Sequence, residues 1–368
     1  MDKKFIELTK FWKNKKVFLT GHTGFKGSWF AIFLNLLGAK VTGYSLQPTE
    51  KINFFKLANL NKIFEKSFFG DIRDYKKLKE SILNSSPDMI VHMAAQPLVR
   101  LSYKLPKYTF EVNTLGTINI LNIINEINTV KTGLIITTDK VYANNNKKIF
   151  FNENHELGGL DPYSNSKSLA ELTIDSYNNS FFNKKNIFVG SARAGNVIGG
   201  GDFSDDRIIP DYFKSFKKKR LYVRQPNSIR PWQHVIEPLY GYLLLLKNLH
   251  QKRKFKKYSW NFGPKISNNK SVIEVVVKLN TYFGNLIKIV KKPVLMKNYY
   301  ESKMLMLNSK KANSELKWLP KYNLEYSLKL VADWYKIFFL NGDLFNISQN
   351  QILEYLKKKN DRSIAIRH

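Results

Sequence analysis

The sequence predicts an α/β fold in which helices cover both faces of a parallel sheet, and three observations support this. Apolar runs of strand length alternate with segments of helical spacing along most of the chain. In residues 17–27 a buried-strand pattern breaks into glycines at i, i+3 and i+6 and then resumes as a helix. Polar residues follow several predicted strands directly. Together these features favour a Rossmann-type, doubly wound sheet with a smaller C-terminal α/β lobe.

The glycine turn begins the predicted sheet. Residues 17–20 read as a buried strand, Gly21 and Gly24 permit a tight turn of bare backbone, and Gly27 lets the next helix pack close to the strand. The first amides of that helix can then bind a pyrophosphate. Basic side chains between the glycines are expected to reach the phosphates of a bound cofactor. The residues between the glycines that complete this expected site are His22, Phe25 and Lys26.

The remaining elements follow in order. Strands are predicted at residues 40–44, 64–69, 88–93, 133–138, 187–193, 221–224 and 287–290, and helices at residues 28–37, 75–83, 106–127, 162–172, 208–217, 236–249, 270–283, 309–316, 324–340 and 346–358. The strand–helix alternation loosens after about residue 193. We therefore predict a dinucleotide-binding domain at residues 11–193, a lobe interleaved with it at residues 194–345, and a C-terminal helix or tail at residues 346–368.

The expected adenosine end of the site is less well specified. An acidic residue about 20 residues past the glycines usually binds the ribose, but no Asp or Glu follows Tyr44 before Glu50, and no arginine stands there for a 2′-phosphate. The choice between NAD and NADP therefore stays open. Asp71 and Asp74 follow the third strand. Each is expected either to bind an adenine amino group or to cap the next helix. The expected cofactor residues here are Asp71, Ile72, Ala94, Ala95 and Gln96.

A reaction centre is predicted where the fifth strand ends, at the edge where an open α/β sheet binds its ligand. Hydroxyl, carboxyl and ammonium groups follow one another there, in Thr137, Thr138, Asp139 and Lys140. Further along, Tyr163 and Lys167 lie four residues apart on one face of a predicted helix. We expect the charge of Lys167 to lower the pKa of Tyr163 and so make the phenol a base.

Composition narrows the classes of function. The 368 residues, 43% of them hydrophobic, are enough to bury a substantial core. The lack of cysteine excludes disulfides, thiol nucleophiles and cysteine-ligated metals, and no metal centre is expected. Without a long apolar run or a cleavable leader, the chain is expected to be cytoplasmic and free of membrane.

The charge pattern favours a small phosphorylated ligand. The formal net charge is +31, but most of it comes from scattered lysines that a solvated surface explains, so no nucleic-acid partner is expected. Half of the ten arginines lie within 38 residues, and arginine binds phosphate through paired hydrogen bonds that lysine cannot make. These clustered residues are Arg193, Arg207, Arg220, Arg224 and Arg230.

Read together, the motifs resemble those of the extended short-chain dehydrogenase/reductases that act on nucleotide sugars, in particular the 4,6-dehydratases of CDP-glucose. The resemblance covers roughly residues 11–340. It rests on residues 18–29 (Phe-Leu-Thr-Gly-His-Thr-Gly-Phe-Lys-Gly-Ser-Trp), 94–100 (Ala-Ala-Gln-Pro-Leu-Val-Arg), 161–167 (Asp-Pro-Tyr-Ser-Asn-Ser-Lys), 192–202 (Ala-Arg-Ala-Gly-Asn-Val-Ile-Gly-Gly-Gly-Asp) and 229–235 (Ile-Arg-Pro-Trp-Gln-His-Val). Dehydratases of dTDP-glucose carry Asp-Glu where this chain has Asp139-Lys140.

The resemblance implies an internal redox cycle with tightly held, recycled NAD, in which a hydride moves from sugar C4 to C6 and water leaves across C5 and C6. It implies that Tyr163 is the base for the C4 hydroxyl and that Lys167 tunes this base and holds the nicotinamide ribose. Thr138 would hydrogen-bond O4, and Asp139 would protonate the leaving C6 hydroxyl. Lys140 would take the place of the glutamate that removes the C5 proton.

The resemblance also supplies a substrate site, an assembly and an alternative. Asn196, Arg207 and Arg230 match positions that face the nucleotide and its pyrophosphate, and Arg193 and Thr137 join the expected cofactor residues. The lobe at residues 194–345 would bind the nucleotide sugar, and helices at 106–127 and 163–180 would pair in a homodimer. The alternative functions are a nucleotide-sugar 4-epimerase, which needs no acid and base for C5 and C6, or a 4,6-dehydratase of another nucleotide sugar.

Overall fold

The structure is a computed structural model that describes residues 3–127, 129–144, 149–291 and 304–358. Within these residues, seven parallel strands form one sheet in the order β12-β7-β5-β4-β1-β2-β3. The strands are β1 (Lys16–Thr20), β2 (Lys40–Ser45), β3 (Lys66–Phe69), β4 (Met89–His92), β5 (Thr132–Ile136), β6 (Phe150–Phe151), β7 (Phe188–Ala194), β8 (Val197–Ile198), β9 (Arg220–Val223), β10 (Ile229–Pro231), β11 (Gln233–His234), β12 (Ser259–Phe262), β13 (Asn269–Ser271), β14 (Lys288–Lys291) and β15 (Met306–Leu307).

Helices connect these strands and cover the sheet. They are α1 (Lys3–Trp12), α2 (Phe25–Leu36), α3 (Phe54–Leu57), α4 (Tyr75–Ser85), α5 (Val99–Lys104), α6 (Pro106–Phe110), α7 (Gly116–Glu126), α8 (Pro162–Tyr177), α9 (Asn183–Lys185), α10 (Ile208–Lys214), α11 (Ile236–His250), α12 (Val272–Thr281), α13 (Lys310–Leu316), α14 (Leu324–Phe339) and α15 (Leu344–Lys357). No described helix is long and apolar enough to cross a membrane.

The strand order confirms the predicted doubly wound sheet. The chain runs outward from β1 through β2 to β3 and then returns to the other side of β1 with β4, so the winding reverses between β1 and β4. In open α/β sheets, ligands bind outside the carboxyl ends of the strands at this point of reversal. β12, which follows about 60 residues after β7 in the chain, pairs with β7 and extends the sheet.

Side chains of the central strands pack on both faces of the sheet, as the unbroken apolar runs of parallel strands require. Val17 and Leu19 of β1 join one hydrophobic cluster, which includes α2, α11 and the C-terminal helices α14 and α15. Phe18, between them, joins a second cluster with α4, α7 and α8 on the opposite face. Both faces of the sheet are thus buried, and the loops of the site follow the carboxyl ends of its strands.

Several elements of the structure were not predicted from the sequence, including α5, α9 and β12. Helix α1 was not predicted; it forms because Leu8 and Trp12 become fully buried against the core. The predicted helix at residues 106–127 contains a π-helical turn at Glu111–Leu115 between α6 and α7. Asn113 in this turn accepts a hydrogen bond from the Gln96 backbone at 2.9 Å and donates one to Ser166 at 3.0 Å. The turn therefore links the loop after β4 to helix α8.

The C-terminal part of the chain forms small paired strands instead of a second large sheet. β8 pairs with β11, β9 with β14 and β10 with β13. The predicted boundaries between the dinucleotide-binding domain, the lobe and the tail stay predictions, and residues 359–368 of the tail lie outside the described residues.

Candidate active site

A cavity of about 560 Å³ opens at the carboxyl ends of β1, β4, β5 and β7, at the reversal of the sheet. Most of the residues predicted for the site line it. These are Gly21, Gly24, Phe25, Lys26, Gly27, Asp71, Ile72, Ala94, Ala95, Thr137, Thr138, Asp139, Lys140, Tyr163, Lys167, Asn196, Arg207 and Arg230. Three predicted site residues, His22, Gln96 and Arg193, do not line it.

The glycine turn forms a cradle of bare backbone at one end of the cavity. Gly21 has a φ of +75°, and a Cβ there would lie 2.7 Å from the backbone nitrogen of Ala94. A Cβ on Gly27 would lie 2.1 Å from the Gly21 carbonyl oxygen. Gly24 caps α2 without a side-chain hydrogen bond. The first amides of α2 are thus free of a side-chain cap, which is the arrangement that binds phosphate.

The two basic residues of the turn have different surroundings. Lys26 lines the cavity, and burial together with the nearby charge of Arg207 lowers its pKa to about 8, while Asp139 opposes this shift. His22 turns the other way, so that its ring packs edge-on against Phe55 and Phe64 at 5.3 and 4.9 Å. Burial lowers the pKa of His22 to about 4, so it is neutral. The expectation that His22 reaches a phosphate as a cation is therefore wrong; its side chain packs in the core.

The expected adenosine end lies between β2 and β4. Thr23 and Ser45, whose hydroxyl oxygens are 2.7 Å apart, line the cavity where an acidic residue is usual. Asp74 caps α4 by accepting a hydrogen bond from Lys77 N, whereas Asp71 does not cap it and lines the cavity. Hydrogen bonds from Arg73 hold the pKa of Asp71 below its usual value.

Gln96 lies behind the cavity wall. Its side-chain amide donates to Thr109 at 2.9 Å and to the Leu98 carbonyl at 3.1 Å, and only 4% of the residue is exposed. In this structure its amide holds the loop after β4 in place and does not face the cavity, which corrects the prediction of a direct cofactor contact.

Asp139 lines the cavity and lies three residues after the end of β5. Thr138 donates to its Oδ1 at 3.0 Å, and Oδ2 is buried with no hydrogen-bond partner among the described residues. Burial raises the pKa of Asp139, although Lys140, Arg230 and Lys26 oppose the rise. The site thus favours a neutral carboxyl group, which can donate a proton.

Tyr163 and Lys167 share one face of α8 and both line the cavity, as predicted from their spacing. Burial raises the pKa of Tyr163 to about 12, although a hydrogen bond with Thr138 and the charge of Arg207 oppose the rise. The expectation that Lys167 lowers the pKa of Tyr163 below its usual value is wrong for this structure. Lys167 donates to the Ile136 carbonyl at 3.1 Å, and burial lowers its pKa to about 8.

Arg193 lies beneath the cavity in a buried ion pair with Glu171, which corrects its assignment as a cofactor contact. Its Nη2 and Nε donate to the two carboxylate oxygens of Glu171 at 2.8 and 3.0 Å, and its Nη1 donates to Tyr142 at 2.9 Å. Glu171 also accepts hydrogen bonds from Thr137 and Ser191. The pair supports the loop that carries the reaction residues.

Sequence reasoning missed Glu171, although a signal was present. Glu171 follows Lys167 by four residues, as Lys167 follows Tyr163, so the three side chains share one helical face.

Two acidic residues that line the cavity beside the arginines were also not predicted from the sequence. Asp202 accepts from Arg207 at 3.0 Å, and Asp206 accepts from Arg224 at 2.6 Å.

A sequence model of the GDP-mannose 4,6 dehydratase family matches residues 18–331. The chain belongs to this family. This member of the GDP-mannose 4,6 dehydratase family is 41% identical over 356 residues to the CDP-glucose 4,6-dehydratase of Salmonella typhimurium. The alignment covers 94% of this chain and 97% of that protein. It is 26% identical over 341 residues to the UDP-glucose 4-epimerase of Mycoplasma genitalium, across 88% of this chain and 97% of that one.

Solved structures share the fold of this dehydratase family member. The dTDP-glucose 4,6-dehydratase of Bacillus anthracis, in complex with NAD, superposes with a TM-score of 0.72 at 22% identity over 90% of this chain and 99% of that chain. The UDP-glucose 4-epimerase of Thermotoga maritima, with UDP-glucose, superposes with a TM-score of 0.76 at 20% identity over 88% and 99%. Both confirm the predicted Rossmann-type fold.

Proposed function

We propose that the chain is a hydro-lyase that converts CDP-D-glucose to CDP-4-dehydro-6-deoxy-D-glucose, a precursor of deoxysugars in surface glycans. The observation that carries the proposal is that Asp139, in surroundings that favour its neutral form, lines the same cavity as Lys140, Tyr163 and Lys167. The 41% identity to a CDP-glucose 4,6-dehydratase supports cytidine diphosphate and glucose as the substrate parts.

NAD is the proposed cofactor, and the residues present fit it. The uncapped first turn of α2, with Gly24 at its start, offers backbone amides to a pyrophosphate. Ala94 and Ala95 line the adjoining wall with small side chains that let a flat ring approach. A dehydratase of the same fold is described in complex with NAD. NAD, when bound, supplies a hydride acceptor that is restored within each turnover.

The first chemical task of the chain is to take the proton from the C4 hydroxyl as that carbon becomes a ketone. Tyr163 is the proposed acceptor of this proton, and Thr138, which hydrogen-bonds Tyr163, also orients the C4 oxygen. The pKa of Lys167, about 8, lies above pH 7, so its amine carries a positive charge at neutral pH. The charge of Arg207 and the hydrogen bond with Thr138 favour the phenolate that Tyr163 must form and oppose the effect of burial.

The second task is elimination of water. The C4 ketone acidifies the C5 proton, and the neutral amine form of Lys140 takes this proton as the C5–H bond breaks. Asp139 gives its proton to the C6 hydroxyl, the C6–O bond breaks and water leaves, so that a C5–C6 double bond forms. With a hydride supplied to C6 by the bound cofactor, the protonated amine of Lys140 would return a proton to C5, which would leave no net oxidation.

A 4-epimerase is the second candidate, because two epimerases share much of the chain's length or fold. An epimerase needs Tyr163 and Lys167 but has no use for an acid at Asp139. The reaction product therefore separates the two functions.

The experiment is to incubate the purified protein with NAD and, separately, CDP-glucose, UDP-glucose, dTDP-glucose and GDP-mannose, and to identify products by NMR in D2O. We expect a 4-keto-6-deoxy sugar with deuterium at C5 from CDP-glucose alone. Turnover of another nucleotide sugar to a keto product would overturn the cytidine assignment. A galactose product without loss of water would overturn the dehydratase.

Three further features are part of the proposal. Residues 194–345 supply most of the side chains proposed to bind the nucleotide sugar, since Asn196, Arg207 and Arg230 line the cavity from there.

A homodimer is supported by exposed apolar side chains on and beside α8, which are Leu169, Leu172 and Phe181, and by Leu115 near α7. The cytoplasm, where nucleotide sugars and NAD are available, is the compartment that this activity requires.

A further inference from the structure

Asp206 occupies an unusual position at the substrate side of the cavity. One oxygen of its carboxylate, Oδ1, accepts hydrogen bonds from Arg100 Nη1 at 2.7 Å and from Arg224 Nη1 at 2.6 Å. Arg100 belongs to α5 and Arg224 directly follows β9, so the carboxylate joins two distant parts of the chain. All three residues line the cavity. A single carboxylate oxygen therefore accepts hydrogen bonds from two cavity-lining arginines.

The backbone and the charge of Asp206 suit this bridging role. Its φ is +59°, in the left-handed region that few residues other than glycine, asparagine and aspartate adopt. Partial burial alone would raise the pKa of Asp206, but hydrogen bonds from Arg224 and Arg100 hold it below the usual value, so the group is charged at neutral pH. The chain thus adopts an uncommon turn at the point where a carboxylate meets both guanidinium groups.

The neighbouring arginine shows the same pairing. Arg207, one residue further, donates to Asp202 at 3.0 Å, and both of these residues line the cavity. Arg224 also has a second acidic neighbour, Asp211, at 3.5 Å. Arg100, Arg207 and Arg224, three of the cavity-lining cations, are therefore each paired with a carboxylate of the protein.

We infer that Asp206 is a stand-in for the diphosphate of the nucleotide sugar: it pairs Arg100 with Arg224 until the diphosphate displaces it and takes both arginines. This inference rests on the proposed function. A diphosphate offers more oxygens and more negative charge than one carboxylate oxygen, so it can engage each guanidinium through paired hydrogen bonds. A monophosphate has fewer oxygens to span both arginines and displaces Asp206 less completely. The exchange thereby favours nucleoside diphosphates over monophosphates.

Two variants with the same change of charge test the inference. Asp206→Asn removes the competing charge but keeps the shape and the tolerance of the left-handed turn. Asp205→Asn is the matched control, since Asp205 is the adjacent residue, pairs with exposed Lys214 and does not line the cavity. Binding of CDP and CMP to the NAD-loaded protein is measured by calorimetry at two salt concentrations.

We expect Asp206→Asn to bind CDP roughly three- to tenfold more tightly, the size expected when two partly exposed ion pairs no longer have to be broken. CMP affinity should rise less, and Asp205→Asn should match the wild type. In an Arg100→Gln background the gain from Asp206→Asn should shrink, because one of the two released arginines is gone.

Equal or weaker CDP binding by Asp206→Asn would overturn the inference, as would an equal gain in Asp205→Asn, which would indicate a general effect of charge. Failure of the proposed substrate is distinguishable. If the wild type binds UDP or GDP in place of CDP, the cytidine assignment fails and the same comparison is made with that nucleotide. If it binds no nucleoside diphosphate, both proposals fail.

Discussion

Thr138 donates its hydroxyl hydrogen to Oδ1 of Asp139 at 3.0 Å, which leaves Oδ2 as the carboxyl oxygen that is buried and without a partner among the described residues. Burying a charged carboxylate oxygen that has no donor costs more than burying the neutral carboxyl group. Burial therefore raises the pKa of Asp139, which lies at the cavity wall beside Lys140 and Tyr163.

Replacing Asp139 with Asn should lower kcat for keto-sugar formation by about 10²–10⁴-fold, the usual contribution of a general acid. Because Asn cannot protonate the leaving hydroxyl, C5–H exchange with D2O should persist while water loss stops. NMR of the sugar during the reaction measures both. Asp205→Asn is the control and should keep the wild-type rate. Loss of C5 exchange together with water loss would contradict this role for Asp139.

Lys140→Met should remove C5–H exchange and lower kcat by about 10²–10⁴-fold, because no base then takes the C5 proton. Lys140→Glu, which restores the carboxylate found in dTDP-glucose dehydratases, should retain more activity than Lys140→Met. Exchange rates and kcat of the two variants are compared under identical conditions. Equal exchange in Lys140→Met and the wild type would assign the base to another residue.

Glu171→Gln should lower the free energy of unfolding by about 3–5 kcal/mol, because it leaves the buried charge of Arg193 without its partner. The amide nitrogen would also face the donors of Arg193 and Ser191. Denaturant unfolding of the purified variants measures the change. Glu126→Gln, which breaks the exposed pair with Lys79, should lower the free energy of unfolding far less. Similar small costs for both variants would contradict the buried pair's structural role.

Glu237 should make stability fall as pH rises. It accepts hydrogen bonds from the backbone of Lys321 and Tyr322 and from the Tyr355 hydroxyl, and burial raises its pKa to about 7. Because the folded protein holds this proton more tightly than the unfolded chain, the stabilisation is complete below the unfolded pKa of 4.5 and is lost as pH rises through about 7.

Comparison with Glu237→Gln tests this pH dependence. Gln keeps an oxygen for the two backbone donors and an amide for Tyr355 but cannot ionise. We expect the variant to gain stability relative to the wild type between pH 5 and pH 8, on the order of 3 kcal/mol in all. Thermal unfolding across this range measures it, with exposed Glu325→Gln as the control. A difference between variant and wild type that does not change with pH would contradict the prediction.

Leu172→Glu should convert a dimer into a monomer. Leu172 is 53% exposed on α8, near Leu169, which is 38% exposed on the same helix. A charge in the centre of an apolar interface opposes its burial. Sedimentation velocity measures the change, and the control is Leu340→Glu, which places the same charge at a leucine that is 77% exposed and lies outside α8. A monomeric wild type, or a dimeric Leu172→Glu, would contradict the proposed interface.

Local physics explains what could be predicted from the sequence. The spacing of Gly21, Gly24 and Gly27 predicts where two backbone segments approach each other closely. The four-residue spacing of Tyr163 and Lys167 matches the helical period, so it predicts that both side chains lie on one face of a helix. The parallel sheet follows from the alternation of strands and helices, because parallel strands need helical crossovers. These signals determined the fold class, the position of the cavity and most of its lining.

Only the tertiary structure decided how individual side chains are used, because burial and pairing depend on residues distant in the chain. His22 lies between glycines, yet Phe55 and Phe64 draw its ring into the core and keep it neutral. Arg193 belongs to a cluster of arginines, yet Glu171 on α8 binds it beneath the cavity.

The same dependence sets the chemistry of the site. Spacing alone suggested a lowered pKa for Tyr163, but the surrounding elements bury the phenol and raise its pKa. Asp206 carries no motif, and its place between Arg100 and Arg224 appears only when α5 and the segment after β9 meet at the cavity. The sequence by itself determined where the site lies, and the packing of distant segments decided which of its charges face the ligand.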